Sequence, residues 1–174
     1  MFAVSPVIVV DVAPAAVVLT LGAGLGGSAA AAPRGDEAAI RALEAKFAAA
    51  VSAKNVDGIM KAYAPDVFVF DLVPPRQYVG AAAYRKDWQA FMGAFKGPVK
   101  FEVNDLSVAV DGPVAWSHSI QRVVGTDPSG APSDVTVRVT DVYRKTAAGW
   151  RIVQEHVSVP VDLATGKPDL ASKP

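Results

Sequence analysis

The sequence predicts an α+β domain in which helices cover one face of a curved antiparallel sheet. Up to about residue 97, apolar side chains recur mainly at three- and four-residue spacing, whereas beyond Pro98 long stretches alternate between apolar and polar residues. Asp111-Gly112 separates two of these stretches and is a strong hairpin signal. Helices followed by a run of strands favour the α+β class, and 174 residues suffice for one domain with its own core.

Three helices are predicted before the long strands. The first begins at Asp36, whose side chain can cap it. The second follows Asn55 and is expected to include Tyr63, because Pro65 would stop it. The third opens at Gly80 and carries a continuous apolar face. That face consists of Tyr84, Trp88, Phe91, Met92 and Phe95.

Five strands complete the predicted sheet. One short strand at 67–71 precedes the third helix, and four longer ones follow it. They are expected at 99–110, 114–124, 133–146 and 150–159. The apolar parity of the first long strand switches near Asn104-Asp105, as a β-bulge would produce. A strongly bent sheet with helices on its concave side leaves a conical cavity, which is the natural place for a ligand.

Composition excludes several function classes. The 17 basic and 17 acidic residues cancel, and no cluster of five Lys or Arg occurs, so a nucleic-acid partner is not expected. Cysteine is absent, which removes disulfides, thiolate zinc sites and cysteine nucleophiles together. Any catalysis would therefore use carboxylates, His, Tyr, Ser or Lys, and we expect no cofactor.

The first 32 residues differ from the rest. They are rich in Ala, Val and Gly and end in a run of small residues, which predicts a signal peptide or other apolar leader at 1–32. Asp11 and the lack of a basic residue before Arg34 count against a signal peptide. A cleaved leader would make the protein periplasmic or secreted, and an uncleaved one cytoplasmic. The leader's glycines disfavour a stable membrane-spanning helix. Once the leader is removed, no stable membrane insertion is expected. The domain is then expected at 33–160, with a loosely held polar tail at 161–174.

Several polar residues fall on faces that are otherwise apolar. Because strand side chains alternate, His118 is placed with Val114 and Ile120, and Asp141 with Val137 and Val139. Asp71 shares a side with Val67 and Val69 in the same way. The predicted pocket side also includes Trp116 and Arg122 on the strand of His118, and Gln154, His156 and Ser158 on the last strand, where they share a face with Ile152. Burying such groups unpaired costs several kcal/mol, so they should pair or face a wet pocket.

Each of these residues also has an ordinary structural interpretation. A single strand carboxylate or histidine is usually a satisfied or exposed group, and Tyr63, Trp88 and Phe47 are interpreted as core residues at the edge of the pocket. A metal site built from His118, His156 and one of the aspartates is a further alternative. The spacing lacks any short metal-binding motif, and so we expect no metal.

The chain resembles the SnoaL-like and ketosteroid-isomerase-like branch of the nuclear transport factor 2-like superfamily over about 36–159. The resemblance is carried by short motifs in a consistent order. They are Phe47 through Asp57-Gly58-Ile59, Pro65-Asp66-Val67 up to Asp71, Tyr78-Val79-Gly80, Thr140-Asp141-Val142-Tyr143-Arg144 and Gly149-Trp150 to His156-Val157-Ser158.

This resemblance implies a sheet wrapped on three helices, a pocket in the cone and a dimer. The open face of the sheet would suit such a homodimer. It places Asp71 at the general base of ketosteroid isomerases and Asp141 at the protonated acid of the oxyanion hole. The family's oxyanion tyrosine falls at Phe47, which has no hydroxyl, so steroid isomerisation is not expected.

Two functions therefore remain open. One is a small-molecule-binding domain without catalysis. The other is a cofactor-free isomerase, dehydratase or cyclase that acts on a small carbonyl compound, with Asp71 as base and Asp141 or His156 as proton donor. The predicted ligand-binding residues are Tyr63, Trp88, Trp116, His118, Arg122, Gln154 and Ser158.

Overall fold

The computed structural model describes residues 35–172, and the predicted leader at 1–32 lies outside the described residues. Three helices and six strands follow one another along the chain. The helices are α1 (Gly35–Ser52), α2 (Val56–Met60) and α3 (Ala81–Gly93). The strands are β1 (Tyr63–Phe70), β2 (Tyr78–Val79), β3 (Lys100–Asp111), β4 (Val114–Thr126), β5 (Pro132–Thr146) and β6 (Gly149–Ser158). No helix in the described residues is both long and apolar enough to span a bilayer.

One curved, open six-stranded sheet forms the frame of the domain, in the order β2-β1-β6-β5-β4-β3. The predicted α+β class and helix-covered sheet are confirmed. Every neighbouring pair is antiparallel except β1 and β6, which run parallel, so the expectation of a wholly antiparallel sheet is wrong at this pair. The chain between β1 and β6 contains α3 and three long strands, and no short hairpin fixes the direction in which β6 returns to β1.

The second helix is shorter than predicted. The side chain of Asn55 caps α2 by accepting a hydrogen bond from the Gly58 amide at 3.0 Å, as expected from the sequence. The helix ends at Met60, and Tyr63 already pairs with Ile152 of β6. Pro65 lies where the pairing of β1 with β6 is interrupted, a position at which a residue without an amide hydrogen is tolerated.

Two β-bulges decide which side chains face the concave side of the sheet. The bulge predicted near Asn104-Asp105 is confirmed, because the β3–β4 register shifts there and Asp105 has a φ of 52°. A second bulge was not predicted. Tyr143 pairs with Ile152 while its neighbour Val142 pairs with Gln154, which leaves Val153 as an extra residue in β6. Side chains beyond Val153 therefore face the side opposite to that expected from simple alternation.

The helices pack on the concave face and leave room between them and the sheet. Phe47 of α1 meets Trp88 of α3 edge to face, with ring centroids 5.5 Å apart, and also packs against Tyr63 and Phe101. Beyond β6 the tail returns to the sheet, where the Thr136 amide donates to the Leu170 carbonyl at 3.0 Å. The aromatic contacts tie α1 to α3 beside the cavity described below.

Candidate functional site

A cavity of about 280 Å³ lies between the helices and the concave face of the sheet. Most of its wall is apolar. The apolar and aromatic lining residues are Phe47, Leu72, Val73, Tyr84, Trp88, Ala90, Phe91, Phe101, Val123, Val135, Val137 and Val157. Its other lining residues are Asp71, Asp87, Gln121 and Glu155. The ionisable side chains of the lining are thus carboxyl groups and one tyrosine.

Asp71 follows directly after β1 and reaches the cavity wall. Its Oδ1 accepts a hydrogen bond from the Leu72 amide at 2.6 Å, and its Oδ2 lies 3.2 Å from the Tyr84 hydroxyl. Burial raises the pKa of Asp71 above its ordinary value, although these hydrogen bonds act in the opposite direction. Asp71, which the sequence predicted for the pocket, is therefore both removed from water and held in a fixed orientation.

Glu155 is the second carboxyl group of the wall and is held by two tyrosines. The Tyr84 hydroxyl donates to Oε1 at 2.5 Å and the Tyr63 hydroxyl to Oε2 at 2.8 Å. Burial raises the pKa of Glu155 to about 7, against both hydrogen bonds. Burial also raises the pKa of Tyr84 well above its ordinary value, so this hydroxyl keeps its proton and remains a donor.

The Tyr84 hydroxyl thus bridges two carboxyl groups with a single proton. It lies closer to Glu155 than to Asp71, and a hydroxyl can donate to only one of them at a time. The contact with Asp71 becomes a second hydrogen bond when Asp71 carries a proton and donates to the tyrosine oxygen. The chain Asp71–Tyr84–Glu155 is consequently a path along which a proton can be shared.

Two more carboxyl groups lie behind the wall. Asp141 pairs with Glu155 across the β5–β6 ladder, and burial, followed by the charges of Glu155 and Glu44, raises its pKa well above the ordinary value. Glu44 of α1 accepts from the Tyr143 hydroxyl at 2.9 Å, and burial raises the pKa of Glu44 to about 7. The buried polar side chains of residues 35–172 include no basic group that could neutralise these acids. Asp141 therefore holds its proton to a higher pH than an ordinary aspartate, and Glu44 and Glu155 titrate at about pH 7.

The sequence profile of the SnoaL-like domain family matches residues 40–162 of this chain. The chain belongs to the SnoaL-like domain family. Relatives of known structure share the nuclear transport factor 2-like fold. A protein of unknown function from Pseudomonas putida is 33% identical with a TM-score of 0.71, and the match covers 79% of this chain and 96% of that chain.

Two further solved structures carry more specific descriptions. A protein from Xanthomonas campestris, described provisionally as a calcium/calmodulin-dependent protein kinase II association domain, is 25% identical with a TM-score of 0.62, over 72% of this chain and 88% of that one. A protein from Streptomyces avermitilis, described provisionally as a dehydratase, is 18% identical with a TM-score of 0.63, over 71% and 95%. At 18% identity the likeness concerns the fold alone. No curated protein matches this SnoaL-like domain.

Of the predicted site residues, the SnoaL-like domain places two in the cavity wall, Asp71 and Trp88. Tyr63 lies behind the wall and holds Glu155 there. Asp141 faces the same side of the sheet, as expected, but it is fully buried behind the lining. Asp141 is absent from the cavity lining, and the charge of Glu155 contributes to its raised pKa after burial.

The prediction that Trp116, His118 and Arg122 of β4 lie on the pocket side is wrong. Ser117 pairs with Asp141 across the β4–β5 ladder, so His118, Trp116 and Arg122 face the convex side of the sheet. His118 is exposed, Trp116 is 48% exposed, and Arg122 forms an ion pair with Asp134 at 2.8 Å. The error arose because the convex face of β4 is the more apolar one in sequence, while its buried face includes Ala115, Ser117, Ser119 and Gln121.

The placement of Gln154, His156 and Ser158 in the pocket is also wrong, because the bulge at Val153 reverses the alternation of β6. His156 is exposed on the convex face, where its ring packs against Phe70 with centroids 5.7 Å apart. It therefore lies on the opposite side of the sheet from Asp71. The alternative metal site fails for the same reason, because its two histidines lie on the convex face and its aspartates on the other side of the sheet. Residues 35–172 contain no cluster of three His, Asp or Glu suited to a metal.

Three carboxyl groups of the site were not identified from the sequence. Glu155 was missed because of the bulge, and Asp87 because it lies one residue from Trp88 on a helix that was interpreted as core. Glu44 carried a usable signal. It falls with Ile40, Phe47 and Val51 on the buried stripe of α1, where a carboxylate is out of place.

The raised carboxyl pKa values predict that this SnoaL-like domain loses stability as the pH rises. An unfolded Glu titrates near its ordinary value of 4.5, whereas Glu155 and Glu44 titrate at about 7 when folded. The protonated forms of these two residues contribute fully to stability below about pH 4.5, and this contribution is lost as the pH rises through about 7. Over that range the free energy of unfolding falls by about 1.4 kcal/mol per pH unit for each proton that the folded state retains and the unfolded state has lost. Urea unfolding between about pH 5 and about pH 8 measures this slope.

Glu155→Gln should flatten that dependence, since the amide has no proton to lose. Asp57→Asn removes an exposed carboxylate by the same change and should keep the wild-type slope. Parallel profiles for wild type and Glu155→Gln would show that Glu155 does not retain a proton in the folded protein.

Proposed function

We propose that this SnoaL-like domain binds a small, largely apolar molecule in the cavity, with the polar end of that molecule against Asp71 and Glu155. The observation that supports this proposal most strongly is that the Tyr84 hydroxyl bridges these two carboxyl groups on a largely apolar wall. Carboxyl groups buried without a basic partner destabilise the fold, and apolar residues of similar size would pack there at lower cost. Ionisable groups kept in such a cavity, with shifted pKa values, support a functional role.

The shape of the wall supports a ligand with one polar end. Aromatic and aliphatic side chains surround the cavity on α1, α3 and the long strands, while Asp71, Glu155, Asp87 and Gln121 supply its polar contacts. A pocket of this type takes most of its affinity from apolar contact and its orientation from the few polar groups.

Filling the cavity should abolish binding. In a thermal-shift and calorimetric screen of small ketones, sterols and polyketide fragments, a ligand at about 100 times its Kd stabilises the wild type by about 2.7 kcal/mol. Val137→Phe places a ring in the cavity and should eliminate that gain. Arg138→Phe adds the same side chain one residue along β5 on the exposed convex face and should leave it unchanged. Equal ligand stabilisation in both variants would locate the binding site elsewhere.

A second candidate function is cofactor-free proton transfer, favoured by the position of Asp71 beside a carboxyl group that titrates near neutrality. Asp71 would remove a proton from the carbon next to a carbonyl group, and protonated Glu155 would donate to the developing enolate oxygen. Tyr84 would then allow the proton on Asp71 to return toward Glu155. Both groups have pKa values raised toward the operating pH, which general acid–base catalysis requires. Glu155 takes the role that the sequence suggested for Asp141 or His156.

NMR can follow the exchange of the α-hydrogens of a bound ketone with deuterated solvent. Asp71→Asn should slow this exchange by about 10²–10⁴-fold. The amide still accepts a hydrogen bond from Leu72, so the free energy of unfolding should not fall. Asp111→Asn, on the exposed hairpin, controls for loss of one surface charge. Wild-type exchange in Asp71→Asn would remove Asp71 from the reaction and leave a binding function.

The convex face of the sheet supports self-association into a homodimer. Trp116, Val114 and Phe70 are 48%, 44% and 39% exposed, and the face also carries His118 and His156. Large exposed apolar side chains on one face are typical of an interface. The description of the Xanthomonas campestris relative as an association domain points in the same direction.

Trp116→Asp should convert the dimer to a monomer in light scattering, because a charge at the centre of an apolar interface is not paired. Leu163→Asp introduces the same charge on the tail, where Leu163 is 94% exposed, and should not change the mass. A monomeric wild type at high concentration would contradict the interface.

A further inference from the structure

The cavity has a one-sided charge distribution. Its lining contains three carboxyl groups, Asp71, Asp87 and Glu155, and no Lys, Arg or His. Behind the wall lie Glu44 and Asp141, also without a basic neighbour among the buried polar side chains of residues 35–172. By contrast, the described ion pairs of Lys and Arg, such as Arg144 with Asp66, involve side chains that are at least partly exposed. Deprotonation of the lining therefore creates a negative potential that no lining side chain offsets.

The charge of Asp71 is not compensated by a nearby cation among residues 35–172, and its effect is visible in the pKa values of the other two lining carboxyl groups. The charge of Asp71 contributes to the raised pKa of Asp87 and to that of Glu155, after the larger effect of burial. The side-chain donors that these groups have found in residues 35–172 are hydroxyls, with Tyr78 donating to Asp87 at 2.7 Å and Tyr84 and Tyr63 to Glu155, while Asp71 also accepts from the Leu72 amide. A bound positive charge would lower all three pKa values together.

Aromatic rings supply the rest of a cation's environment. Five aromatic side chains line the cavity, on α1, α3 and β3. They are Phe47, Tyr84, Trp88, Phe91 and Phe101. A cation over the face of such rings is stabilised by their quadrupole, and more strongly when both are removed from water.

Trp88 carries a buried donor without a partner among the described residues, which is an observation independent of the carboxyl groups. This lining residue is 8% exposed, and its Nε1–H has no acceptor in the described part of the chain. A buried indole N–H usually finds a partner, because leaving it unpaired costs about 1–3 kcal/mol. Nε1 has almost no water-accessible surface in this conformation, so a ligand oxygen would satisfy this donor once the ring turns toward the cavity.

We propose that the natural ligand of the cavity is an organic cation: an ammonium group beside Asp71, Asp87 and Glu155, on an apolar body that also carries a hydrogen-bond acceptor for Trp88. This inference rests on the proposed binding function and narrows it to one ligand class. The ammonium group compensates the lining carboxylates, the aromatic rings contact its alkyl substituents, and the acceptor pairs with the orphaned indole.

The experiment compares two probes of the same shape that differ in charge. Acetylcholine carries a permanent positive charge and an ester oxygen, and 3,3-dimethylbutyl acetate is its uncharged carbon isostere. Calorimetric titration of the full chain should give at least about tenfold tighter binding of acetylcholine. Its affinity should rise between about pH 6 and about pH 8, with release of protons, because the cation binds the deprotonated carboxyl groups.

Substitutions test which carboxyl groups lie beside the charged end of acetylcholine. Asp87→Asn and Asp71→Asn should each reduce the preference for acetylcholine over the isostere by about tenfold. Asp57→Asn makes the same change on the exposed surface and should affect neither probe. Val137→Phe should abolish binding of both probes, which places them in the cavity.

Three outcomes would overturn the inference in different ways. Equal affinity for the two probes, or tighter binding of the isostere, would reject the cation and leave small-molecule binding intact. Binding of neutral ketones without acetylcholine would do the same. If neither probe nor any ketone binds, the inference and the proposed function both fail.

Discussion

The hydrogen bond from Tyr84 to Glu155 is the contact on which the interior of this SnoaL-like domain depends. It joins α3 to β6, and Tyr63 holds the same carboxyl group from β1, so the two hydroxyls tie one helix and two strands to a single side chain. Without them Glu155 would be a buried carboxyl group with no donor, which a fold of ordinary stability does not tolerate. The bond also sets the position of the cavity wall, because Tyr84 and Glu155 are both part of it.

The formal charge balance of the chain conceals a strong separation of charge. The 17 basic and 17 acidic residues cancel over the whole sequence, yet the buried charged side chains of the described residues are carboxyl groups. Basic residues remain at the exterior, where Arg122 and Arg144 pair with surface aspartates. Retaining acids inside without basic partners raises their pKa values, and groups with such shifted pKa values are more typical of functional sites than of a packed core.

Much of the fold was predictable because it follows from local rules. The spacing of apolar residues located α1 and α3, Asn55 marked the start of α2, and Asp111-Gly112 marked the β3–β4 hairpin, where Gly112 has a φ of 57°. The site was less predictable because it depends on which face of a strand is covered. On β4 the covered face carries Ser117 and Gln121 and looks polar in sequence, whereas the uncovered face carries Trp116. Hydrophobicity alone therefore selected the wrong side.

The sequence by itself determined the succession of helices and strands, the family, and the placement of Asp71 at the end of a strand and near the cavity. Each of these depends on residues close together in the chain. Only the tertiary structure decided that Glu155, and not His156, faces inward, because the single extra residue at Val153 reverses the alternation of β6 and appears only in its pairing with β5. The tertiary structure also brought Tyr84 between Asp71 and Glu155, since three segments far apart in the chain meet there and no local pattern encodes their distance.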